Sequence, residues 1–393
     1  MRSTTVYPQT TLAVNMSNES FTQDDKTIEW IKFVAYSIVA YVVVAVGIFG
    51  NLLSLVVLTR PNLKGVMYLY LLGLAASNLC VLVTAVPALY DISHGLTGGN
   101  YITAFYQAHM KLPLINSFMA SSVYIIICMT VNRYISIYRP THFQRVHTFT
   151  NAQIHIGISF LAGILLHIPL CFQNKVLCFS EELVLHQENC TWYAYEHQEI
   201  THSNIFKAYL VSSEILLRFG PILVLACLNT LIIYKFQVIA EKRQRLRGYS
   251  TTKKSPPTPT GSSLGISRST ELSNHDEIYP KESTKDRRSS THPLYKKSPQ
   301  SKEERVLVLV LISIVLLFVC CTTPAAILSI IFSVSLQNSF SSQIFRAIAN
   351  NLELLNFALN FHIHCFCSAE IRRAFVCLLK YWADLLVTER EIV

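Results

Sequence analysis

Apolar residues in this chain come in long blocks that lack the strict alternation of half-buried strands and are nearly free of charge. Seven blocks are long enough to cross a bilayer, near Phe33–Leu58, Val66–Tyr90, Leu112–Tyr138, Ile154–Phe172, Ile205–Tyr234, Val306–Val334 and Ile344–Phe366. A crossing takes roughly 20 apolar residues at about 1.5 Å of rise each. Only helices and closed barrels satisfy every backbone group in lipid, and unalternating runs of this length are helices. The pattern therefore predicts an all-α membrane protein, a seven-transmembrane helix bundle with five helices in residues 31–240 and two in residues 303–366. The fifth and seventh blocks are the least uniform, because Glu214, Arg218 and Glu353 interrupt them.

The polar connections give the orientation. Arg60 and Lys64 follow the first block, Arg139 and Arg145 the third, a long basic segment the fifth, and Arg372, Arg373 and Lys380 the seventh. The other connections hold far fewer cations, so the positive-inside rule puts the amino terminus outside and the carboxyl terminus inside. Residues 1–30 contain no apolar h-region, which makes the first helix the expected insertion signal. The Asn-x-Ser/Thr sites Asn15, Asn18 and Asn189 all fall on the outer side, where N-glycosylation takes place.

Charged residues are 15% of the chain, against about 25% in a soluble domain, and the deficit lies in the apolar blocks. Residues 241–302 are rich in Ser, Thr, Pro, Lys and Arg and are expected to form a disordered, basic third cytoplasmic loop. Lys242, Arg243, Arg245 and Arg247 would meet anionic headgroups or an acidic partner on a helical continuation of the fifth span. Residues 367–393 place Ile371, Phe375, Leu378 and Leu379 near helical spacing beside Arg372, Arg373 and Lys380, which predicts a short amphipathic cytoplasmic helix and a short tail. Cys377 on that helix is a palmitoylation candidate. The basic excess points to membrane lipids, and no nucleic-acid partner is expected.

Of the eleven cysteines, Cys178 and Cys190 are the clear outer pair, with Cys171 as a competitor for either. His362, His364, Cys365 and Cys367 crowd together in sequence, yet residues two apart point to different helix faces, so packing is expected there and no metal site. The chain has no HExxH, phosphate-cradling glycine loop or nucleophile elbow, so neither an enzyme nor a cofactor is expected. A transporter would show internal repeats and broken helices at mid-membrane, and no such repeat is evident.

The helices also carry short motifs in a fixed order: Gly50–Asn51 in the first, "LAASN" ending at Asn78 in the second and "NRY" at Asn132–Tyr134 in the third. "FGP" ends at Pro221 in the fifth, "FVCCTTP" at Pro324 in the sixth, and "LLNFALNFHIH" spans Leu354–His364 in the seventh. On these motifs the chain resembles the rhodopsin-like (class A) G-protein-coupled receptors. Through "RLRGYST" and "IANNLELLN" it further resembles invertebrate FMRFamide-type neuropeptide receptors and related orphan receptors. The resemblance implies a plasma-membrane receptor for an extracellular ligand, in the first place a short neuropeptide. A small apolar or amino-acid-like ligand is the alternative on the same fold. On the inner side it implies a heterotrimeric G protein, engaged when helix six moves outward, then arrestin and a receptor kinase.

Residue by residue, the resemblance makes Asn132, Arg133 and Tyr134 the coupling switch and Glu304 the acidic partner of Arg133. Arg133, at the inner end of its span, is expected to reach interfacial water. Asn51, Asn78, Ser122, Asn356 and Asn360 correspond to a polar core network, and Phe318, Thr322, Pro324 and His364 to a relay. Ile115, Asn116, Met119, Glu214, Phe332, Asn350 and Glu353 correspond to the ligand pocket. The departures are specific. Asn132 stands where the family has an acid, which leaves Arg133 without its nearest carboxylate, and Asn78 stands where the family has a sodium-binding aspartate, which predicts weak or absent sodium sensitivity because an amide lacks the charge a buried cation needs. Thr322, Phe361 and His364 replace the family's tryptophan, proline and tyrosine. Ala108 replaces the helix-three cysteine, which leaves Cys178–Cys190 as the expected bond and the second outer loop less restrained. Leu354 and Ile115 exclude the lysine of retinal receptors and the acid of amine receptors. Glu214 and Arg218, four apart, are expected to pair with each other.

Overall fold

The computed structural model describes residues 23–61, 63, 65–94, 98–180, 190–252, 300–331 and 340–392. Asn15, Asn18, Asn189 and Phe332 lie outside the described residues, as does the side chain of Glu304. The chain divides into two compact units, one running to Ile233 and resuming at Arg305, the other Tyr234–Glu304.

Helices long and apolar enough to cross a membrane begin with span 1 (Lys26–Leu58), span 2 (Val66–Ser93), span 3 (Tyr101–Tyr138) and span 4 (Phe149–Phe172). Span 5 (Asn204–Ile239) and span 6 (Val308–Ser329) complete that set. Span 7 is Phe340–Ala358 continued by Asn360–Cys367. It is less apolar than the others because it carries Arg346, Glu353, Asn350, Asn351, Asn356 and Asn360. Of these, Glu353 reaches Arg218, Asn350 reaches Tyr36 and Asn351 reaches the Ala35 carbonyl, while Asn356 and Asn360 are buried, which is where a spanning helix can hold polar groups.

Local chemistry sets the ends. Asn100, Thr148 and Ser203 cap spans 3, 4 and 5 by accepting from backbone N–H groups three residues on. Pro140 opens the short inner-loop helix Pro140–Val146, where its missing N–H costs nothing. Span 7 breaks at Leu359 although Phe361 has replaced proline. Pro87 and Pro324 lie inside helices of spans 2 and 6.

Span 3 is the axis of the bundle and packs against spans 2 and 4, while span 1 packs against spans 2 and 7. The fully buried side chains, including Tyr70, Leu74, Leu82, Ile125, Ile126, Leu311 and Phe318, meet in one core. Leu161, Leu165, Leu223 and Ile348 lie exposed on the outer face, where lipid replaces water.

The amphipathic stretch after span 7 forms a helix over Ala369–Ile392, longer than the sequence suggested, and is held against the bundle. Tyr68 donates to Glu370 at 2.5 Å, Arg60 lies over the Tyr381 ring at 5.9 Å, and Arg372 donates to the carbonyls of Cys365 and Phe366. Cys377 is exposed on this helix. The second unit contains the continuation of the fifth helix to Thr252, so regular structure runs eleven residues past Glu241. Residues 253–299 lie outside the described residues.

Spans 3 and 4 touch at Gly163, where an added Cβ would stand 2.4 Å from the Ser117 carbonyl oxygen. Gly157, two turns away on span 4, has nothing within 4 Å of that position. Gly163→Ala should therefore cost about 1–3 kcal/mol through overpacking, read as a lower Tm and reduced surface display. Gly157→Ala should leave both unchanged or slightly raised.

Candidate functional site

At the inner end of span 3, Arg133 is buried, 5% exposed, and does not extend to interfacial water as its position in the sequence suggested. Only Asn132 and Arg133 are buried in this turn, while Val131 is exposed and residues 134–138 are partly covered. Asn132 is also buried, and its Oδ1 accepts from His147 Nδ1 at 3.2 Å. His147 follows the inner-loop helix and stacks on Phe143, with ring centroids 4.3 Å apart. Burial first, and the nearby Arg133 guanidinium second, push the His147 pKa down to about 4. Its neutral ring thus ties the second inner loop to the residue that stands in for the family's acid. Nothing in the sequence periodicity marks His147. Tyr134 stacks on Tyr138, whose hydroxyl donates to the Leu231 carbonyl and so joins spans 3 and 5.

The five core residues do not form one continuous chain of side-chain bonds. Asn51 Nδ2 donates to the carbonyls of Gly47 and Phe357, linking spans 1 and 7 at 3.0 Å. Ser122 donates to Asn78 Oδ1 at 2.7 Å, linking spans 3 and 2. Asn360 Nδ2 returns to the Asn356 carbonyl on its own span. All five are buried. Backbone carbonyls accept from Asn51 and Asn360, which a reading by side-chain type alone does not anticipate. Of the relay residues, Phe318, Thr322 and His364 are buried, and Pro324 sits inside the sixth helix.

Nearer the outer side, Arg218 links two helices. Its Nη1 donates to Glu214 Oε1 at 2.6 Å, as four-residue spacing predicts. Its Nε donates to Glu353 Oε1 at 3.0 Å and its Nη2 lies 2.9 Å from the same oxygen, so Glu353 on span 7 joins Arg218 on span 5. Asn350, one turn away on span 7, donates to the Tyr36 hydroxyl at 3.0 Å. Met119 is buried, Ile115 and Asn116 are half-buried, and Asn116 donates to the Leu112 carbonyl. Lys111 pairs with Asp91 at 2.7 Å and Gln107 donates to the same carboxylate, a tie between spans 2 and 3 that the sequence reading did not include.

Over the outer end stands an antiparallel hairpin of β1 (Asn174–Ser180) and β2 (Cys190–Glu196), closed by the Cys178–Cys190 disulfide with Cα atoms 5.7 Å apart. Cys171 is a free thiol. The loop is not left loose by Ala108: Gly99 pairs with Trp192 through both backbone bonds, and His109 Nδ1 reaches the Cys171 carbonyl at 2.6 Å. Backbone pairing therefore supplies the restraint that the missing helix-three cysteine does not.

His147 yields a pH prediction. Its folded pKa lies below the ordinary 6.5, so its contribution to stability is complete above pH 6.5 and is lost as pH falls through about 4. Purified protein should lose thermal stability across that window, and His147→Gln, which cannot titrate, should lose less. Parallel profiles for the two proteins would contradict the assignment.

The comparisons agree with this arrangement. The family model for the seven-transmembrane receptors of the rhodopsin family matches residues 50–363. Two probable G-protein coupled receptors of Caenorhabditis elegans are 28% identical over 347 residues and 26% identical over 370 residues. The first alignment covers 87% of this chain and 69% of the relative, the second 93% and 80%. The FMRFamide receptor of Drosophila melanogaster is 24% identical over 227 residues, covering 55% of this chain and 40% of that protein. A match over most of the chain, on a seven-helix bundle with these motifs in place, makes this protein a member of the rhodopsin family of seven-transmembrane G-protein-coupled receptors, a signalling receptor and no enzyme.

Proposed function

We propose that the protein is a plasma-membrane receptor, amino terminus outside, for a short extracellular peptide, and that it signals through a heterotrimeric G protein at the inner end of span 3. The observation that carries the peptide reading is the outer hairpin. The far edge of β1 has no strand beside it among the described residues, and Phe179 and Tyr195 are exposed on the hairpin. An extended peptide can add to such an edge through main-chain bonds and set its side chains against the aromatic rings. The likeness to an FMRFamide receptor supports the same class of ligand.

On the inner side, Arg133 is the group that meets the G protein once helix six moves outward. Asn132 and His147 hold the resting arrangement of that end. Thr322, Phe318 and His364 carry the motion inward from the pocket, with Pro324 permitting the bend. Arrestin and a receptor kinase act on the same inner face, and Cys377 on the tail helix is the site for a palmitoyl anchor in the interface.

Cells displaying the chain should respond to members of an amidated-peptide panel with nucleotide exchange on a Gα subunit. Arg133→Ala, compared at matched surface display, should lower that exchange more than tenfold. A variant that keeps full coupling would remove Arg133 from the mechanism.

A further inference from the structure

Spans 1 and 7 leave a gap along their outer halves. Between them lies a cavity of about 380 Å³, within the range of small-molecule sites. One wall is span 1 from Trp30 to Val43, the other span 7 from Ile344 to Leu355. Trp30, Val39 and Ile348 are exposed on the rim, so the cavity opens toward lipid. Span 1 winds here as a π-helix over Phe33–Val39, a wider turn than the α-helix and a rare one. Ala35 and Ala347 put only methyl groups into the gap.

Below Trp30 the lining side chains are apolar except for Asn351. Asn351 Nδ2 donates to the carbonyls of Ala35 at 3.2 Å and Ala347 at 2.8 Å, which fixes the amide on both helices. Its Oδ1 is buried and has no hydrogen-bond partner among the described residues. A buried acceptor left unpaired is costly. Water answers it poorly, because a held water needs about two to four polar partners and this lining is otherwise apolar. The complement of the cavity is an apolar body that carries one donor. Depth agrees with such a molecule. Trp30 has the amphipathic ring found at headgroup level. Ala35 lies about 7 Å deeper by helical rise, at the top of the hydrocarbon, and Val43 about 12 Å deeper again.

We infer that the cavity between spans 1 and 7 is a site for a membrane sterol, its hydroxyl donating to Asn351 Oδ1 and its ring body lying along Val39, Val43 and Leu355. Phosphatidylcholine does not meet the same requirement, because its ester and phosphate oxygens only accept. The β-branched walls, Val34, Val39, Val43 and Ile348, hold few rotamers, so a rigid ring system covers them at little cost in entropy. A sterol seated across both walls adds contacts between two helices that Asn51 and Asn351 already tie. This site requires only that the helices stand in lipid, whatever ligand the outer side takes.

The test uses the purified full-length receptor in phosphatidylcholine nanodiscs that contain a photoreactive cholesterol analogue, its hydroxyl intact and a diazirine on its ring system. After irradiation, mass spectrometry should find the label on span 1 between Ala35 and Val43 and on span 7 between Ile348 and Leu355. Added cholesterol should suppress that labelling. Cholest-4-en-3-one, nearly the same in shape but with an oxygen that only accepts, should suppress it about fivefold less well, the scale of one hydrogen bond. Asn351→Leu, which nearly keeps the volume and removes the acceptor, should lower labelling by a similar factor. The comparison of the two competitors on the unaltered chain needs no variant to fold. Equal suppression by the two, label absent from these segments, or undiminished labelling in Asn351→Leu would each overturn the assignment, the first in favour of generic filling by lipid chains.

Discussion

The constraint behind this structure is that lipid offers no hydrogen bonds. Every backbone group within the membrane must find its partner in the chain, which makes the spans helical. The same rule governs the polar side chains. Asn51, Asn116, Ser121, Thr130 and Asn229 each donate to the carbonyl four residues earlier on their own helix. The bonds that leave a helix then fix its neighbours: Asn51 to Phe357, Ser77 to Phe118, Ser122 to Asn78 and Tyr209 to Leu166. A small number of polar contacts thus orients helices that apolar packing alone would leave free to rotate, since lipid tails are as apolar as the side chains they touch.

The outer end shows how a missing covalent tie is replaced. Ala108 cannot anchor the second outer loop, yet the hairpin is held by its own disulfide, by the Gly99–Trp192 backbone pair and by the edge contact between Tyr101 and Trp192. The Asp91–Lys111 ion pair and the Gln107 bond secure the tops of spans 2 and 3 beneath it. A disulfide restrains chiefly by limiting the unfolded chain, whereas these contacts act within the folded state.

The inner end rests on a neutral link. Where the family has an acid beside its arginine, this chain has Asn132, whose amide oxygen accepts from His147. An amide carries no net charge to neutralise Arg133, so the resting position of that cation depends more on the surrounding packing and the second inner loop. The intramembrane cluster of Glu214, Arg218 and Glu353 has the opposite character, a strong link in which two helices share one cation.

The sequence by itself determined the class of fold, the positions of the spans to within a turn or several, the Glu214–Arg218 pair and the motif order that marks the family. Each of these follows from local pattern: the length of an apolar run, the spacing of four that joins Glu214 to Arg218, the order of short motifs along the chain. Only the tertiary structure decided that Glu353 shares Arg218, that Asn350 turns to Tyr36, that His147 reaches Asn132 and that Arg133 is buried. Those contacts join residues up to 314 positions apart, and their partners are chosen by how helices rotate about their axes, a quantity that no local spacing encodes.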